Sequence, residues 1–103
     1  MDVKISTIQL HKYFSRLKGL MFKSNLEPQS FYHLKPCGSI HTFLMKVPID
    51  VVFLSEDYHV LSIHRAVGPN RLLWQKGAKS VLESKVGLVD QHGLSIGKQV
   101  DLT

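Results

Sequence analysis

Apolar residues along this chain fall into short blocks that turn residues separate. Ile40 to Met45 and Ile49 to Leu54 are two such blocks with Pro48 between them, which predicts two strands with a bend at the proline. The polar break "SEDYH" and then "VLSIHR" follow, so the second strand is expected to pair with its successor in a hairpin whose loop exceeds two residues. Upstream, the aromatic content of "FYHLK" predicts another short strand, closed by Pro36 and Gly38. Ser80 to Ser84 and the terminal "SIGKQVDL" predict two more, and "VGLVDQHG" suits one or two helical turns ended by Gly93. A longer period stands apart: Leu10, Phe14, Leu17 and Met21 recur at i, i+4, i+7 and i+11. That spacing predicts an amphipathic helix over Thr7 to Lys18, with Ser6 and Gln9 as a capping box and Gly19 as its stop. Residues 67–79 mix Gly, Pro and Asn with Leu72, Leu73 and Trp74, and read as a surface excursion with Trp74 as an aromatic plug. No βαβ alternation and no internal repeat is visible. The pattern predicts a mainly β fold: a single antiparallel sandwich, jelly-roll-like or barrel domain, with one amino-terminal helix and a short helix near the carboxyl end.

Composition narrows the functional classes. A chain of 103 residues supports one hydrophobic core, and 44% hydrophobic with 20% charged residues matches a globular domain. "MDVKISTIQL" contains no apolar h-region and no window reaches the length of a membrane-spanning helix, so a cytoplasmic protein with no membrane partner is expected. Cys37, the single cysteine, excludes an internal disulfide and any multi-cysteine zinc site. The net charge of +5 is unevenly spread: residues 1–25 carry five cations against Asp2, and residues 67–88 carry four against Glu83. Without a dense basic run, a groove-reading motif or aromatics visibly placed to stack, this charge argues more against a nucleic-acid partner than for one.

His41, Lys46 and Asp50 stand out because they interrupt an otherwise apolar run. An aspartate between Ile49 and Val51 must be paired or face a pocket. It could accept backbone hydrogen bonds near Pro48, pair with Lys46 or Arg65 to fix the strand's register, or serve as an acid or ligand contact. Cys37 and His41, four apart, share a face if the backbone between them is extended. With Asp50 orienting the ring they would form a nucleophile of hydrolase or transferase type, although no nucleophile signature surrounds Cys37. His33, Cys37, His41 and His64 are chemically able to bind zinc or copper, but their irregular spacing predicts neither a metal nor a cofactor. Met21, Phe43 and Met45 are either core or the apolar lining of a pocket.

Three blocks in this order, "RLKGLMF", then "CGSIHTFLMKVPIDVVFL" with "HVLSIH", then "SVLES" leading to "GLSIGKQVDL", resemble the domain of unknown function 192 family over about residues 3–102. Gly19, Leu20, Met21 and Phe22 match the early signature; Phe43, Met45 and Lys46 match the central one; Pro48, Ile49 and Asp50 match its proline, aliphatic and aspartate. The chain departs where many members carry a tryptophan near Leu44 and an asparagine-threonine pair after the lysine, since here Val47 meets Pro48 directly. The resemblance implies a compact, mainly antiparallel β domain and carries no catalytic role, cofactor or substrate. The leading expectation is a non-enzymatic binding or accessory domain, with a small polar pocket formed by Cys37, His41, Lys46 and Asp50 and lined by Met21, Phe43 and Met45. Its partner would be a small molecule or another protein. A hydrolase or transferase built on Cys37, His41 and Asp50, and a weak nucleic-acid module, are the alternatives.

Overall fold

The computed structural model of the chain describes residues 3–10, 26–43 and 45–103. Nine strands, β1 (Val3–Ile5), β2 (Thr7–Leu10), β3 (Phe31–Leu34), β4 (Ser39–His41), β5 (Ile49–Leu54), β6 (Val60–Val67), β7 (Leu72–Trp74), β8 (Ser80–Lys85) and β9 (Val100–Leu102), accompany one short helix, α1 (Leu88–Gln91), among the described residues. Five strands form a central sheet in the order β2-β3-β8-β5-β6, while β1 with β9 and β4 with β7 form two separate ribbons.

Strand β5 explains the layering. All six of its residues are buried, because both faces of this inner strand are covered, and a strand covered on both faces needs a nearly continuous apolar run. Ile49, Val51 and Phe53 point to one side, where they pack with Tyr32, Val81, Val67, Leu26, Met45 and the inward Ile40 and Leu73 of the β4–β7 ribbon. Val52 and Leu54 point to the other side, against Phe31, Leu82 and Val60, the α1 residues Leu88 and Val89, and Ile5 and Val100 of the β1–β9 ribbon. Each ribbon thus closes one face of the sheet.

The mainly β fold, the β5–β6 hairpin and the short helix before Gly93 agree with the sequence reading. Other expectations are corrected. The sheet is mixed, since β2 runs parallel to β3 and β1 parallel to β9, and no closed barrel forms among the described residues. Thr7–Leu10, expected to open a helix, is strand: these residues pair in register with Phe31–Leu34, and the Ser6 carbonyl accepts from the Phe31 amide at 2.9 Å, so tertiary pairing overrides a helical period that four residues cannot fix. The remainder of the expected helix, with Gly19, lies outside the described residues. Residues 67–79 contain β7, and Trp74 is no plug but 69% exposed, because alternation turns its neighbour Leu73 inward.

The strand expected over Ile40 to Met45 stops at His41 because the fully buried Thr42 redirects the chain. Its hydroxyl donates to the Gly68 carbonyl at 2.7 Å and accepts from the Arg71 amide at 2.8 Å, while its own carbonyl accepts from Met45 and Asn70. One side chain therefore ties the chain leaving β4 to the loop that leads into β7. Thr42→Val, which keeps the shape and deletes the hydroxyl, is expected to cost about 2 kcal/mol by stranding a donor and an acceptor, read as a lowered thermal midpoint.

Candidate functional site

The residues singled out in the sequence occupy different parts of this frame. Asp50 is 1% exposed, and alternation along β5 sends it to the α1 side of the sheet. There Oδ1 accepts from the Ala66 amide and Oδ2 from the Gly87 amide, both at 2.9 Å. Arg65 and Ala66 together sit opposite Asp50, a bulge in the β5–β6 ladder at which Ala66 adopts a φ of 50°. The carboxylate thus pins a left-handed bulge residue to the residue that starts α1. Arg65 pairs instead with Asp90, through Nη2 at 3.0 Å and Nε at 3.1 Å.

His41 and Cys37 belong to the opposite side of the sheet, with the β4–β7 ribbon. The His41 ring stacks on Phe43 at 4.8 Å with planes 27° apart, and its Nδ1 accepts from the Phe43 amide at 3.3 Å. Cys37 is half-buried, its amide donates to the Lys79 carbonyl, and its thiol donates to the Ser39 carbonyl at 3.0 Å. With the central sheet between His41 and Asp50, the structure does not bring Cys37, His41 and Asp50 together. Lys46 is exposed, Met45 is part of the core, and Met21 lies outside the described residues. Among the described residues no three His, Cys, Asp or Glu side chains gather as a metal-binding group.

A different polar set lies inside the fold. In the pairing register Tyr32 of β3 stands opposite Glu83 of β8, Glu83 opposite Val51 of β5, and Val51 opposite His64 of β6. Directly opposed residues share a face, so Tyr32, Glu83, Val51 and His64 form one transverse row on the face covered by the β4–β7 ribbon. Adjacent strands are about 4.8 Å apart, which puts Glu83 and His64 roughly 10 Å apart at the backbone, with the small Val51 between them.

Glu83 is 5% exposed, and burial pushes its carboxyl up to about 8, so it is a neutral acid at pH 7. His64 moves the opposite way: burial, helped by the positive charge of Arg71, lowers it from the ordinary 6.5 and keeps the ring uncharged. Its Nε2 is buried with no hydrogen-bond partner among the described residues, and the ring packs edge-on against Phe53 at 5.6 Å. Ser62, also on this face by its pairing with Phe53, has a buried hydroxyl in the same condition. The Tyr32 hydroxyl accepts from the Glu27 amide at 3.2 Å. The row is chemically distinctive: Glu83 and His64 are both held in their uncharged forms, so it offers a carboxyl that both donates and accepts and an imidazole with one site of each kind. Sequence reading passed over Glu83, although a glutamate sharing the face of Val81 within "SVLES" was its visible signal.

No helix among the described residues is long and apolar enough to cross a membrane. The DUF192 family profile, described as "Uncharacterized ACR", matches residues 3–102. A "UPF0127 protein" of Thermococcus sibiricus is 32% identical over 93 residues, which cover 86% of this chain, and the chain spans 60% of that relative's length. Among solved structures, a protein of unknown function from Novosphingobium aromaticivorans superimposes with a TM-score of 0.77 at 23% identity, covering 88% of this chain and 70% of the other. A protein of Sinorhizobium meliloti, provisionally described as a transcription regulator, does so with a TM-score of 0.78 at 20% identity, covering 88% and 76%. At such identities these two establish a shared fold alone. The match along almost the entire length is decisive for kinship: the chain belongs to the domain of unknown function 192 family.

Proposed function

We propose that this chain is a non-enzymatic binding domain, a sandwich-like frame that takes a small uncharged polar ligand against the Tyr32, Glu83 and His64 row. The observation that carries this reading is Glu83 itself, a carboxyl buried within an apolar face on the same row as an imidazole whose Nε2 lacks a partner among the described residues. Burying such groups costs stability, and a fold tends to retain that cost where the groups meet something else. A neutral acid near a neutral imidazole complements an amide or a hydroxyl, and neither group must shed a charged hydration shell to bind one.

The test is a thermal-shift screen of primary amides, polyols and neutral sugars, run between the titration points of His64 and Glu83. A binder present at 100 times its dissociation constant adds about 2.7 kcal/mol to stability. The stabilisation is expected to disappear in Glu83→Leu and to fade as pH rises past the titration of Glu83. If no uncharged compound stabilises the protein, or if hits stabilise Glu83→Leu equally, the row is not a ligand site.

A further inference from the structure

The outward face of the β4–β7 ribbon has an organisation that the core does not require. Ser39 pairs with Trp74 and His41 with Leu72, so these four side chains share the face opposite to the buried Ile40 and Leu73. Trp74 is 69% exposed, Leu72 59% and Phe43 46%, and Phe43 extends the face by stacking on His41. Trp74, Phe43 and Leu72 thus stand in solvent around the half-buried His41 ring, with His41 and Trp74 as diagonal neighbours about 7 to 8 Å apart.

The segments around the ribbon are basic. Residues 35–49 and 66–82, which build and flank it, contain Lys35, Lys46, Arg71, Lys76 and Lys79 and no carboxylate, although Lys35 donates to the Tyr58 hydroxyl at 2.8 Å, on the α1 side of the sheet. All five cations are exposed. The eight cations elsewhere balance the chain's eight carboxylates, so the whole formal charge of +5 and the pI near 9.5 trace to the ribbon segments. An anionic partner is the complement.

We propose that this face binds single-stranded nucleic acid, with Trp74, Phe43 and His41 stacking on bases while Lys46 and Lys76 neutralise phosphates. Exposed rings on a short ribbon with exposed cations in the adjoining segments suit single strands, because every base presents a π-face whatever the sequence. A lipid surface fits less well: it rewards a broad aliphatic face, and among the described residues Leu72 is the one aliphatic side chain on this face, beside Ser39 and His41. This site is independent of Glu83 and uses the opposite surface of the ribbon that covers it.

Trp74 is the single tryptophan, so its fluorescence reports on the face directly. The intact chain is titrated with a short fluorescein-labelled oligothymidylate at two salt concentrations, with heparin and with anionic phospholipid vesicles. Oligothymidylate is expected to bind, to quench Trp74 and to weaken with salt. Trp74→Ala should lose about ten-fold or more in affinity with an unchanged melting temperature, and Lys76→Ala should lower the salt slope by about 1. Heparin and oligothymidylate binding equally, with no quenching and no effect of Trp74→Ala, overturns the proposal in favour of charge alone. Vesicle binding that blue-shifts Trp74, without oligothymidylate binding, overturns it in favour of a lipid surface. Failure to bind any of the three also overturns it.

Discussion

Glu83→Gln is expected to stabilise the protein at alkaline pH and to leave it nearly unchanged in acid. The folded carboxyl titrates at about 8, against 4.5 when ordinary, so between those values the folded state holds a proton that the unfolded state has released. Stability is therefore fully present below the unfolded value and declines as pH rises towards the folded one, by about 1.4 kcal/mol per unit at most. Over the whole interval the loss is on the order of 5 kcal/mol, comparable with the entire stability of many small domains. Glutamine keeps the shape and cannot ionise. Urea unfolding curves in mildly acidic and mildly alkaline buffer measure the difference directly, and a wild-type chain of constant stability across that range would show that Glu83 is not a neutral buried acid.

Asp50→Ala is the second large effect. The carboxylate holds two backbone amides at 2.9 Å, one from the bulge at Ala66 and one from the residue that opens α1. Bonds to an ionised acceptor contribute about 1.5 to 3 kcal/mol each, and truncation also leaves a void, so a loss of about 3 to 5 kcal/mol is expected. Asp50→Asn should cost less, because its carbonyl satisfies one amide while its NH2 opposes the other. Denaturant midpoints give the ranking, and faster hydrogen exchange at the Ala66 and Gly87 amides would localise it. A near-silent Asp50→Ala would mean that the bulge holds itself.

What the sequence disclosed follows from how local each signal is. The run Ile49 to Leu54 declares an inner strand because both faces of it are covered, and the β5–β6 hairpin follows from adjacency along the chain. The β4–β7 ribbon was illegible because its two short strands meet across some thirty residues and only the pairing shows which side chains share a face. For the same reason Trp74, Phe43 and His41 looked scattered until the ribbon brought them together. At Thr7–Leu10 an apolar spacing of four admits a helix, and only the pairing with Phe31–Leu34 makes it strand. For the candidate residues the limit is facing. Even spacing between Cys37 and His41 says nothing about Asp50, whose side is fixed by alternation within a different sheet. Glu83 carried a legible oddity, but its row with Tyr32 and His64 exists only through the β3-β8-β5-β6 order.

The pairing of Val3–Ile5 with Val100–Leu102 bears on how the molecule assembles. The Thr103 hydroxyl donates to the Ile5 carbonyl across 98 positions of sequence, so this ribbon closes nearly the longest loop the chain contains. Such a contact gains little until the intervening structure has drawn its ends together, which makes ribbon closure a late event in folding and slows the overall rate. Until that moment Ile5 and Val100 leave one face of the central sheet uncovered, and the nascent protein is at its most vulnerable to association with its own copies.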